Sequence, residues 1–204
     1  MSMETRTKIV SKTETGFALL ITLIVVGVVV AIGVSVLDLS LKQVRLSTNA
    51  KDSEIAFHAV NAGMECARYW RRVDAATMER GGSINPVCFS GTLVNPPSVI
   101  SLGSENGVSS ANGQAFLYNY AITWQGNGRC SEVTALVASS TTSGSGLSIT
   151  GMPALVEGYP EGNTKVCAAG ERCTVLSVRG YNKPCSPTAN YPFGTVQREV
   201  LLQF

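Results

Sequence analysis

Apolar and polar positions divide the chain into three regimes. From Phe17 to Leu37 no residue is charged. About twenty largely apolar residues is the length a helix needs to cross a hydrocarbon core at 1.5 Å per residue. Valine and isoleucine form helices poorly in water. In lipid the backbone must satisfy its own hydrogen bonds, and that selects helix. A helix buried in a soluble core is the competing reading, but such helices rarely stay apolar on every face for this long. After Leu37 the pattern turns amphipathic, and no proline occurs before Pro86. Leu37, Leu41, Val44, Ile55, Ala59, Ala62, Cys66, Tyr69 and Val73 recur at steps close to three and four, between Asp38, Lys42, Arg45, Lys51, Asp52 and Glu54. This predicts one helix from about Phe17 to about Ala76, with Thr48-Asn49 as a weak point and Gly81-Gly82 as its stop. Gly27 and Gly33 lower rigidity in the first half or let helices approach closely in a bundle.

Beyond Gly81 the helical pattern gives way to loops and short strands. Residues 81–113 are rich in loop signals: Gly81-Gly82-Ser83, Asn85-Pro86, Asn95-Pro96-Pro97, Asn106-Gly107 and Asn112-Gly113, with a short strand expected at 98–102. Residues 115–124 and 129–138 read as a hairpin turning at Gln125-Gly126-Asn127-Gly128. The Ser/Thr/Gly run 139–146 reads as a mobile loop, and 151–170 as irregular. Strands are expected again at 172–181 and 195–204, around a loop carrying Pro184, Pro187 and Pro192. A long helix followed by antiparallel strands makes an α+β fold, the second half of the helix packing on a small antiparallel sheet. The divisions are 1–16 as a leader, 17–37 as a membrane-spanning helix, 38–80 as its amphipathic continuation, and 81–204 as a β-rich globular domain.

Composition adds direction. In 204 residues there is room for one membrane helix and one domain of ordinary size. A net charge of +2 announces neither nucleic acid nor anionic lipid. Cys66, Cys88, Cys130, Cys167, Cys173 and Cys185 all follow the apolar segment. An even number on one side of a membrane suggests disulfides in an oxidising compartment. Arg6, Lys8 and Lys12 precede the segment, so by the positive-inside rule the N-terminus stays cytoplasmic and the C-terminal bulk is exported.

The leader ends in Thr13-Glu14-Thr15-Gly16, and Phe17 opens the apolar run. A secretory signal has its small-residue cleavage site after the apolar region. Here the small residue stands before it. Gly-Phe behind a short basic leader and ahead of a long apolar helix resembles the signal of type IV pilins and type II secretion pseudopilins. The resemblance implies cleavage between Gly16 and Phe17 by a prepilin peptidase and N-methylation of Phe17. Most members carry a glutamate at the fifth mature position, where this chain has Ile21. Within the family that loss is similar to the K-type minor pseudopilins and PilX-like minor pilins. It implies an initiating or tip subunit; a diverged subunit or a plain membrane anchor is the alternative. The stretch from Ala56 to Ala67 also resembles the "A-F-x-A-A-E-A-G" string of those proteins, departing from it at Val60 and Asn61. Read on its own, the stretch is a small-residue packing face. The ending "S-V-R-G-Y … V-Q-R-E-V" is similar to the closing strands of PilX-like proteins. The resemblance further implies a Cys66–Cys88 bridge. Two of Cys130, Cys167, Cys173 and Cys185 then close the C-terminal loop, Cys173–Cys185 or Cys167–Cys173 being nearest in sequence.

Candidate chemistry is sparse. His58, the single histidine, lies in the helix and makes a poor centre for a triad or metal site. Cys167, Cys173 and Cys185 lack the paired C-x2-C spacing of structural zinc sites. No calcium loop or phosphate-binding loop is present. No catalytic residue, metal or cofactor is expected, and the chain reads as a non-enzyme. Tyr69-Trp70-Arg71-Arg72 is the one aromatic-basic cluster. It could touch nucleic acid, or sit at the helix–sheet junction with Trp70 inward and both arginines outward. The partners expected are other pilin or pseudopilin subunits, the prepilin peptidase and the inner membrane. An exported adhesin or DNA receptor that does not polymerise is the alternative.

Overall fold

The computed structural model describes residues 15–124, 128–186 and 190–204. Most of the expected leader and of the 125–128 turn lies outside them. The chain divides into two units after Asn49. The helix α1 (Thr15–Val73) contributes to both.

In the first unit α1 is exposed along its length, from Phe17 onward. An 18-residue window reaches a mean hydropathy of 3.1, so the helix is long and apolar enough to cross a membrane. Four of its hydroxyls are satisfied within the helix. Thr22, Ser35, Ser40 and Thr48 donate to the carbonyls of Leu19, Ala31, Val36 and Val44 at 2.8–2.9 Å. Such back-bonding removes the cost of placing a hydroxyl among apolar neighbours.

In the second unit α1 lies on an antiparallel sheet. The strands are β1 (Gly91–Leu93), β2 (Ser98–Ser101), β3 (Gly113–Trp124), β4 (Arg129–Ser140), β7 (Arg172–Tyr181) and β8 (Gln197–Gln203), in the order β1-β3-β4-β7-β8. β2 pairs with β3 beside β1, through Ser98↔Asn119 to Ser101↔Phe116. The long hairpin runs from Gly113↔Ser140 to Trp124↔Arg129, and β4 pairs with β7 from Cys130↔Tyr181 to Ser139↔Arg172. The Ser/Thr/Gly run therefore begins as the end of β4.

Side-chain alternation makes two cores. On one face Phe116, Tyr118, Tyr120, Ile122, Val133, Ala135, Val137, Leu176 and Val178 pack with Met64 and Ala67 of α1 and with Met78 and Ile84 beyond it. On the other, Leu117, Leu136 and Val175 pack under Leu147, Ile149, Met152 and Val156. That second layer is a hairpin of β5 (Leu147–Thr150) and β6 (Thr164–Cys167), with the one-turn helix α3 (Met152–Leu155) between them. It occupies most of the segment read as irregular. Four-residue strands carry too little periodicity to stand out, and these are held by burial of Leu147 and Ile149. Because the sheet is covered on both faces, successive residues of β3 (Ala115 to Tyr118) and of β4 (Ala135 to Ala138) are buried.

The small residues of α1 set how close it comes. Ala56, Ala59, Val60, Gly63 and Ala67 are buried. A Cβ on Gly180 of β7 would lie 2.4 Å from the Ala56 carbonyl and 2.5 Å from the Val60 nitrogen. Ser131 Oγ donates to the Ala59 carbonyl at 2.6 Å. After a break at Asp74, α2 (Ala75–Met78) continues the helical course. Gly81, at φ +72°, then ends it: its N–H bonds the Met78 carbonyl (3.3 Å) and that of Gly82 the Thr77 carbonyl (2.9 Å). This is the Schellman arrangement, and glycine is its usual pivot because φ is positive there.

Candidate functional site

Gly16 and Phe17 stand at the start of α1, and an added Cβ on Gly16, Gly27 or Gly33 would meet nothing within 4 Å. Ile21 is exposed among exposed apolar neighbours. The uncharged segment 17–37 with its open glycine positions is apolar enough to pack against lipid or another apolar helix.

All six cysteines are joined in three disulfides. A cysteine in a disulfide offers no thiolate to a metal. Cys66–Cys88 fastens α1 to the segment before β1, and Cys167–Cys173 closes the β6–β7 connection. The alternative Cys173–Cys185 does not form; Cys185 pairs with Cys130, at a Cα separation of 4.7 Å. Register is the reason. Cys173 faces Ala138 at one end of β7, while Cys130 faces Tyr181 at the other. Eight residues of strand put roughly 27 Å between those ends. The chain leaving Tyr181 folds back over the nearer one.

The aromatic-basic cluster departs from the expected inward tryptophan and outward arginines. Arg71 is 6% exposed. Its Nε donates to Thr174 Oγ1 (2.9 Å) and its Nη2 to Glu79 Oε1 (2.8 Å). Trp70 is half-buried and donates to the Val87 carbonyl at 3.1 Å, while Arg72 is exposed. Helical geometry decides this: Arg71 follows Ala67 by four residues, on the stripe that faces the sheet. Tyr69, Trp70, Val87, Phe89 and Trp124 line an open apolar cavity of about 490 Å³ beside the Cys66–Cys88 bridge. His58 is exposed, 3.6 Å from Glu54 on the next turn.

A polar cluster lies on the part of the sheet not covered by the β5–β6 layer. Glu132 accepts from Tyr181 (2.8 Å) and Tyr191 (2.6 Å), whose rings stack at 4.1 Å, and it pairs with Arg179 at 3.6 Å. Arg179 also binds Glu157. Burial, reinforced by the Glu132 carboxylate, pushes both phenols well above their usual pKa. The adjoining cavity, about 430 Å³, is lined by Asn95, Ser98, Asn119, Thr134, Glu132 and Arg179 among others. Sequence reasoning missed this cluster. Its members come from β4, β7 and the loop before β8, and no local spacing joins them. Among the described residues no group of three or more His, Cys, Asp or Glu is arranged to hold a metal ion.

Comparison with family models, with curated proteins and with solved structures returns no match to this chain.

Proposed function

We propose that the chain is a minor, non-enzymatic subunit of a type IV pilus or type II secretion filament, located at the tip or initiating assembly. One observation carries the reading: the segment 17–37, opening at Phe17 near the head of α1, carries no charge and is exposed throughout. In this reading a prepilin peptidase cuts before Phe17 and methylates its amine. The segment 17–37 holds the protein in the inner membrane, with the disulfide-bonded domain outside, and later packs against the helices of other subunits. Ile21 supports placement at the tip, because a subunit with no neighbour above it has no N-terminal charge to offset there. The test is the N-terminal mass of the protein from membranes of its host. A chain starting at N-methyl-Phe17 is expected; one retaining Met1, or cut beyond Leu37, would sink the reading. Ile21→Glu should leave processing unchanged and alter filament number or the subunit's position; unchanged assembly counts against the tip.

The second reading, a membrane-anchored binding module that does not polymerise, is favoured by the open cavities on the second unit. It shares the anchor and differs in having no filament partners. Cross-linking in host membranes separates them: adducts through the 17–37 helix to other subunits support the first.

A further inference from the structure

A third cavity, of about 540 Å³, lies where the end of α2, the start of β3, the end of β4 and the start of β7 meet. Its lining includes Arg80, Arg172, Ser110, Gln114, Ser139 and Thr142. The carboxylate of Glu79, whose side chain is 11% exposed, organises the charges. Oε1 takes Arg71 at 2.8 Å and Oε2 takes Arg172 Nε at 3.3 Å. Both oxygens of Glu79 are thus engaged. Arg172 meets Glu79 through Nε, and its two terminal nitrogens have no hydrogen-bond partner among the described residues, on a side chain 69% exposed. Arg80 makes no side-chain ion pair among the described residues. Glu171, the nearest other acid in sequence, turns its carboxylate to the Ala168 N–H (3.2 Å). Three guanidinium groups therefore stand against one carboxylate, and two of the three have donors to spare.

The rest of the lining is hydroxyl and amide. Ser140 and Thr141 donate inward, to the Asn112 and Ala111 carbonyls among others, so their oxygen lone pairs remain as acceptors. Ser110, Gln114, Ser139 and Thr142 have no side-chain hydrogen bonds to other described residues. No aromatic ring lines the cavity, so there is no platform on which a nucleobase would stack.

We propose that this cavity binds an acidic saccharide, its carboxylate, sulfate or phosphate held by Arg80 and Arg172 and its hydroxyls by the Ser/Thr/Gln lining. Guanidinium suits such anions because its planar fork gives two parallel donors. Hydroxyl and amide groups that can donate or accept match a sugar, which offers a donor and an acceptor at each free hydroxyl. The proposal rests on the second unit alone and stands or falls apart from the filament reading.

The test is calorimetric titration of the full-length chain in non-ionic detergent with trigalacturonate, its fully methyl-esterified form, sodium sulfate and a short single-stranded DNA. Trigalacturonate is expected to bind, and the ester at least about tenfold more weakly, the loss of one charge-assisted contact. Arg80→Gln and Arg172→Gln should each weaken trigalacturonate by about tenfold without moving the melting temperature by more than a few degrees. Equal binding of acid and ester, no binding at millimolar concentration, or indifference to both substitutions would overturn the proposal. Sulfate binding as tightly as trigalacturonate reduces the site to a simple anion site, and tighter, arginine-dependent binding of DNA makes it a phosphodiester site; either result also overturns it.

Discussion

Gly180 lets β7 lie directly against the backbone of α1. Any Cβ there would drive into the helix backbone, at 2.4 Å from the Ala56 carbonyl. Backbone cannot swing aside as a side-chain tip can. Gly180→Ala is expected to destabilise the second unit by about 1–3 kcal/mol through overpacking, seen as a lowered urea midpoint with an unchanged slope. Arg71 illustrates a different cost. Its partner Glu79 is largely buried, and Arg71→Met leaves that carboxylate only the exposed Arg172. A loss of about 3 kcal/mol is expected. Arg172→Gln should cost no more than about 1 kcal/mol, because its own side chain is solvated. Equal losses for the two arginines would show that Glu79 is not the organising group.

At the scale of elements, the disulfides anchor pieces the strand ladder does not. The segment between β7 and β8 is tied down by Cys130–Cys185 and by Tyr191 on Glu132. In the chain-entropy account the bridges spanning 6, 22 and 55 residues contribute roughly 2, 3 and 4 kcal/mol. Replacing Cys130 and Cys185 together by alanine should therefore destabilise most, and replacing Cys167 and Cys173 least. Melting of the three double variants checks the order. The β5–β6 layer shows how an element missed by pattern is made by packing. Ser148 and Val166 face outward, Leu147 and Ile149 inward, and the inward pair closes the second core.

At the scale of the whole molecule, several phenols share one sensitivity. Burial raises Tyr120, Tyr181 and Tyr191, and raises Tyr159 to about 12, in the last case helped by the Glu161 carboxylate that accepts its proton at 3.0 Å. Unfolded tyrosine ionises near pH 10. The unfolded chain therefore gives up these protons first as pH rises. Stability from these groups is complete below about pH 10 and is lost as pH climbs toward the folded values. A melting temperature flat from pH 8 to 9.5 and falling steeply above pH 10 is expected. Tyr191→Phe should flatten that fall, at the cost of a hydrogen bond to Glu132 at neutral pH. A slope identical to wild type would refute the role of the Tyr191 phenol.

What the sequence by itself determined is what local periodicity can encode. The uncharged run after Gly16-Phe17 specifies a helix whose faces are all apolar. The three-and-four spacing carries it onward to Val73, Gly81-Gly82 ends it, and the alternation in 113–140 and 172–181 makes strands. The small residues from Ala56 to Ala67 mark the packing face, although what they pack against, Gly180 and Ser131, is more than sixty residues away. Only the tertiary structure decided that Cys185 meets Cys130 and not Cys173, because register puts Cys130 and Cys173 at opposite ends of the sheet. It decided that Arg71 turns inward, since a largely buried acid on a later turn was needed to receive it. It also decided the β5–β6 layer and the clusters around Glu79 and Glu132. Each joins residues from three or more segments, and only strand pairing and core burial bring those segments together.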